Sequence, residues 1–244
     1  MWNNIAIKNH LVAAKKLLEI KDLAFDYLRK HNKASEYELQ EFIFKKFRDY
    51  NLKTDSASLI TAFNENSAIP HYYPALKSKK FKKETIVLID IWAKLNCVNA
   101  PFTDITWIGY YGDNLPAVIE KNFNIVKKAR DNSISFIRNE LKKKNIPTGK
   151  EIDKIARDTI IKAGFGDNFI HKTGHCLGYT SPHGKGKNIS KNNNTPLKLN
   201  YGYTIEPGIY LKSKFGIRSE IDFYITKHLE LIITTNVQRK IIKI

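Results

Sequence analysis

Between positions 6 and 30 the apolar residues Leu11, Ala14, Leu17, Leu18, Leu23, Ala24, Tyr27 and Leu28 recur at the spacing of one helix face. That pattern predicts a long amphipathic helix. Ser35-Glu-Tyr-Glu38 reads as a capping box, so a second helix should begin at Ser35 and run to about Tyr50. The period then changes. Residues 58–63 read as a strand, and 85–92 (TIVLIDIW) form a β-branched apolar run interrupted by a single acid. Residues 103–111 read as its neighbour.

The order then repeats. Residues 113–116 open a long helix reaching about Lys144, with Pro116 near its first turn. Thr148-Gly-Lys-Glu151 is a second capping box, and its helix should run to Ala163 and stop at Gly164 and Gly166. Residues 201–211, 220–226 and 229–235 read as strands, and the Lys- and Asn-rich stretch 184–199 as an exposed loop. Helix, capped helix and strands thus occur twice. This predicts an α+β chain of two similar halves, about 1–111 and 112–244, around one centre.

With 244 residues the chain has ample length for a sizeable core. It has no run of eighteen apolar residues, so no membrane span is expected. Positions 1–16 lack an apolar core followed by small residues, so secretion is not expected either. Cys97 and Cys176 stand far apart and read as free thiols of a reducing, cytoplasmic compartment. The net charge of +17 raises the question of nucleic acid, but only seven of the 41 basic residues are Arg and no nucleic-acid motif occurs. The lysine runs therefore read as solvated surface, and no nucleic-acid partner is expected. The sequence leaves monomer and homodimer open.

Five residues stand where bland surface residues would not. Asp90 interrupts an apolar strand, where an unpaired carboxylate is costly to desolvate. Asp104 lies on the neighbouring strand. His175 sits in HKTGHCLG, flanked by Gly174 and Gly178, which permit close backbone approach. Glu206 falls in TIEPGIY, read as an acid facing inward from a strand, and Glu220 in GIRSEID, opening another. Taken singly, a strand aspartate is more often paired with arginine, and a histidine beside glycine more often hydrogen-bonded in the core. Together, four carboxylates and one imidazole suit two divalent cations held close together.

In these segments the chain resembles the pita-bread metallopeptidases, the family of methionine aminopeptidase, aminopeptidase P and prolidase. LIDIW and FTDITW are similar to that family's two strand aspartates, HKTGHCLG to its histidine signature, and TIEPGIYL and FGIRSEID to its two glutamate segments. NSAIPHYYP is similar to the segment carrying an active-site histidine, here His71. The order of these segments matches over nearly the whole chain. Asp90 and Asp104 are further apart than is usual in the family, the extra residues falling in the turn at 96–101, and His183 lies slightly further beyond His175.

The resemblance implies a pita-bread fold: two pseudo-symmetric halves with helices outside a curved, mainly antiparallel sheet. It also implies a single catalytic domain over 1–244, with no separate N-terminal domain. Asp104 and Glu220 would bridge two metals, Mn before Co or Zn, with Asp90 on one and His175 and Glu206 on the other. A metal-bridging hydroxide would attack the peptide carbonyl, Glu206 would take its proton, and His71 and His183 would contact the substrate. Arg218 would partner a ligand carboxylate, His171 would bind substrate or support the pocket, and Tyr210, four residues after Glu206, would be site wall or core. The TIEPGIY and Arg-Ser-Glu segments lean towards aminopeptidases that cut before proline. A methionine-type or broad aminopeptidase, or a metal-free binding module, is the alternative.

Overall fold

The computed structural model describes residues 1–55 and 58–244. Helix α1 (Asn4–Lys30) starts at Asn3, whose side chain accepts from Ala6 N–H. Of the predicted stripe it buries Ala14, Leu17, Ala24 and Leu28, leaves Leu18, Leu23 and Tyr27 half-buried and Leu11 exposed, and its buried face is completed by His10, Ala13, Ile20 and Phe25. Helix α2 (Glu36–Asp49) carries the expected capping box: Glu38 N–H donates to Ser35 Oγ at 3.1 Å, and Ser35 N–H to Glu38 Oε2 at 2.7 Å. Helix α3 spans Ala117–Lys142. Helix α4 (Gly149–Lys162) has the second capping box and ends where Gly164 takes φ +86, a left-handed turn that favours glycine.

The first half is built on β3 (Thr85–Leu95) and β4 (Thr103–Tyr111), an antiparallel pair. Flanking them are β1 (Leu52–Lys53) and β2 (Ile60–Phe63), both against β3. The last strand of the chain, β10 (Ile242–Lys243), runs parallel to β4. Helix α1 packs across β3 and β4, covering one face of this sheet. In the second half, β5 (Gly202–Ile205), β8 (Ile221–Ile225) and β9 (Leu231–Ile233) form one antiparallel sheet. A separate hairpin joins β6 (Gly208–Leu211) to β7 (Phe215–Arg218). One core cluster lies between α1, α2 and the first sheet; a second joins α3 and α4 to β5 and β8.

Three expectations need correction. The run 201–211 is two strands, because Glu206-Pro207 breaks it and Pro207 has no N–H for a ladder. Glu206 therefore sits at a break and not within a strand, and Glu220 likewise lies in the two-residue gap between β7 and β8. The segment 184–199 is a loop, but it is not wholly exposed: Ile189 and Leu197 are buried, and Ile189 bridges to Gly174.

The α2 capping box also fixes the first turn that presents the buried Glu36. Ser35→Ala should cost about 1 kcal/mol of stability, read as a lowered urea midpoint with an unchanged slope. An unchanged midpoint would mean the cap is energetically idle.

Candidate active site

Period two along β3 and β4 decides which side chains meet. Asp90 pairs with Thr106 and Trp92 with Asp104, so all four share one face, while Ile89, Ile91, Ile105 and Trp107 take the other. Ile60 of β2, opposite Asp90, joins the first face. The second half delivers the remaining groups through its irregularities. The segment 174–177 runs alongside β5, with Thr204 N–H donating to the His175 carbonyl at 2.9 Å. A Cβ on Gly174 would lie 2.1 Å from the Thr204 carbonyl oxygen, so only glycine allows this approach.

Asp90, Asp104, His175, Glu206 and Glu220 line one cavity of about 270 Å³, with His71, His183 and Arg218 also on its walls. Asp104, His175 and Glu220 each offer a ligand atom within 4.8 Å of the others. His175 Nε2 lies 3.7 Å from Asp104 Oδ2 and 3.4 Å from Glu206 Oε1. Its Nδ1 is 3.3 Å from the Cys176 carbonyl, which can only accept, so Nδ1 carries the proton. Nε2 then turns a lone pair towards two carboxylate oxygens. Acceptors facing acceptors is the arrangement a cation completes. Among the described residues, buried Asp104 Oδ1 and Glu220 Oε1 have no hydrogen-bond partner, which adds two further oxygens to the same set of unpaired acceptors. The residues present therefore suit hard or borderline divalent ions.

The electrostatics agree. Burial, and then the charge of Asp90, holds Asp104 well above the usual carboxylate range; burial and then Asp104 do the same to Glu220. Glu206 is pushed up to about 7 by burial, against the opposing pull of Arg218. Burial, and then His183 and Lys172, depresses His175, which is therefore neutral at physiological pH and fit to be a ligand.

Arg218 ties the site together. It donates to Asp90 Oδ2, to Thr106 Oγ1 at 3.1 Å, to the Tyr210 hydroxyl at 2.9 Å and to the Pro70 carbonyl at 3.3 Å. One guanidinium thus joins β3, β4, β6 and the segment bearing His71. Thr106 Oγ1–H donates in turn to Glu220 Oε2 at 2.8 Å. The Tyr210 hydroxyl donates to His171 Nε2 at 2.7 Å, so His171 and Tyr210 stand behind Arg218 and not on the cavity wall. His183 meets the His175 ring edge to face, centroids 4.3 Å apart.

Sequence reasoning missed several supports. Asp222 is buried and accepts from Asp104 N–H at 2.9 Å and Thr103 Oγ1 at 2.7 Å, gripping the Asp104 backbone from behind. Its signal was available, since it is an acid in the apolar run EIDFYI, as Asp90 is in LIDIW. Thr106 and Thr204 carried no such signal, because a threonine in a strand is unremarkable until its partner is known. Asp55 and Tyr73, also on the cavity wall, were not singled out either.

A family model for metallopeptidase family M24 matches residues 12–227, and the chain belongs to that family. Its fold is the pita-bread fold. The chain is 29% identical over 226 residues to an uncharacterized peptidase of Staphylococcus haemolyticus, covering 93% of this chain and 60% of that protein. Among solved structures it resembles a recombinant prolidase from Thermococcus sibiricus, with TM-score 0.83 and 31% identity over 100% of this chain and 62% of that one. It also resembles an X-Pro aminopeptidase from Thermotoga maritima, with TM-score 0.83 and 27% identity over 99% and 64%. The chain thus spans about 60% of the length of the relatives it matches.

The raised value of Glu206 gives a signed pH prediction for the chelator-treated protein. A carboxyl that binds its proton more tightly when folded stabilises at low pH, and that contribution is lost as pH rises from about 4.5 through about 7. The buried histidines act oppositely, so the comparison is made against Glu206→Gln, which does not titrate. Between pH 5 and 8 the wild type should lose about 2–3 kcal/mol relative to that variant in urea melts. Parallel curves would show that Glu206 does not titrate differently in the fold.

Proposed function

We propose that this chain is a dinuclear-metal aminopeptidase that removes the residue preceding proline from the N-terminus of peptides. One observation carries the reading. Four carboxylates and a neutral imidazole converge on one cavity with their lone pairs facing each other and a single guanidinium among them. Asp90, Asp104, His175, Glu206 and Glu220 would hold the two ions. The ions, Mn before Co or Zn, supply Lewis acidity to the attacking water and the scissile carbonyl when bound.

The chain's own groups do the rest. Glu206, whose Oε1 stands 3.4 Å from His175 Nε2 in the cavity, takes the proton of the attacking water and returns it to the leaving nitrogen. His71 and His183, on the cavity walls, contact the substrate and the oxygen that gains charge. Arg218 holds Asp90 in place and leaves its other oxygen for a cation. Asp222, through the Asp104 amide, keeps the second aspartate in register. The preference for proline is supported by the likeness to a prolidase and an X-Pro aminopeptidase at 31% and 27% identity. Among the described residues no helix is long and apolar enough to cross a membrane. Two free thiols, Cys97 and Cys176, support a reducing cytoplasmic setting.

The test is hydrolysis of an Xaa-Pro peptide and a Met-Ala peptide by Mn²⁺-loaded protein. Turnover of the Xaa-Pro peptide is expected, and Glu206→Gln should lower it by orders of magnitude. His71→Ala should lower it roughly 10²–10⁴-fold with metal content near normal. Cleavage of the Met peptide alone would replace the proline reading with a methionine-type one. Cleavage of neither, with no metal bound, would leave a binding module.

A further inference from the structure

The cavity has an acid that this chemistry does not use. Asp55, in the turn after β1, lines the same cavity as Asp90 and His183 but is exposed and stands outside the converging group. It is not loose. The Trp92 indole N–H donates to Asp55 Oδ1 at 2.8 Å, fixing the carboxylate at the edge of a buried ring. Among the described residues no lysine, arginine or histidine forms an ion pair with it, in a chain of net charge +17. Tyr73 and His183 line the same cavity. Tyr73 is half exposed and Trp92 buried, and both line that cavity with Asp55.

An anchored carboxylate whose second oxygen has no bonding partner among the described residues, on a cavity that Trp92 and Tyr73 also line, has the chemistry of a site for a long cationic side chain. The alkyl stem of lysine or arginine covers apolar surface while its head stays polar, and aromatic faces add cation–π attraction. We infer that Asp55 selects peptides whose N-terminal residue is lysine or arginine, the stem lying along Trp92 and Tyr73 and the head pairing with Asp55. The inference rests on the aminopeptidase reading. On that reading the substrate's N-terminal amine lies at the carboxylate cluster on the cavity floor. The side chain of the same residue then faces the mouth.

Arginine and citrulline differ at the head by charge and hardly by shape, so Arg-Pro-Ala and citrulline-Pro-Ala isolate the pairing. With Mn²⁺-loaded protein at low salt, kcat/KM should favour the arginine peptide roughly 1.5- to fivefold, the size of an exposed ion pair. The ratio should shrink as salt is added, collapse towards one in Asp55→Asn, and invert in Asp55→Lys. Equal rates for the two peptides in the wild type would overturn the inference while leaving the aminopeptidase reading intact. So would a ratio that survives Asp55→Asn, or a loss in that variant shared equally by both peptides. Calorimetry on Mn²⁺-loaded Glu206→Gln protein, with and without Asp55→Asn, reads the same preference as binding. Charge-selective binding there, with no turnover by the wild type, would sink the catalytic reading and keep the role of Asp55.

Discussion

The rest of the structure depends on four carboxylates brought together, three of them buried and Glu206 nearly so. Asp90, Asp104, Glu206 and Glu220 share one cavity, and among the described residues its one guanidinium belongs to Arg218. Buried charges without partners are among the most expensive groups a fold can hold. Here the cost appears as proton affinities raised for Asp104, Glu206 and Glu220, with burial the first cause in each. A protein core would avoid such a cluster unless something other than protein balanced it. Divalent cations do so, and the neutral, correctly turned imidazole of His175 is the ligand they would find waiting.

The scaffold serves that cluster by rigidity. The long β3–β4 hairpin sets the spacing of Asp90 and Asp104 by strand register, and α1 covers its opposite face. Because the register is antiparallel and regular, lengthening the turn at 96–101 leaves both aspartates opposite their partners. The second half works differently: Glu206 and Glu220 emerge at breaks between strands, where Pro207 and the β7–β8 gap turn the backbone inward. Arg218 and Asp222 then link the halves, one through side-chain bonds to Thr106 and Asp90, the other through the Asp104 amide. Removing either would loosen geometry that the ligands alone cannot maintain.

Much of this was legible in the sequence. The capping boxes at Ser35 and Thr148 and the β-branched run of β3 each state a local preference that packing did not override, whereas the stripe of α1 was legible only in part, since Leu11 faces out and His10, Ile20 and Phe25 face in. The five metal-type residues were legible because acids in apolar runs are rare and because their flanking segments occur in a familiar order. The missed features share a cause. The strand Phe215–Arg218 follows Lys212-Ser-Lys and contains a glycine, so its strand character comes from pairing with β6 and not from composition. Thr106, Thr204 and Asp55 acquire meaning only from a partner more than twenty residues away, which periodicity cannot register.

The central claim is that divalent cations balance the carboxylate cluster. A calorimetric titration of chelator-treated protein with Mn²⁺ near pH 7, repeated in two buffers of different ionisation enthalpy, tests it most directly. The account predicts about two ions bound per chain, with net release of protons from carboxyls that burial had kept protonated. Replacing Asp104 should abolish more of that binding than replacing Arg218. Absence of binding at millimolar Mn²⁺, or binding with no proton release and no dependence on Asp104, would contradict it.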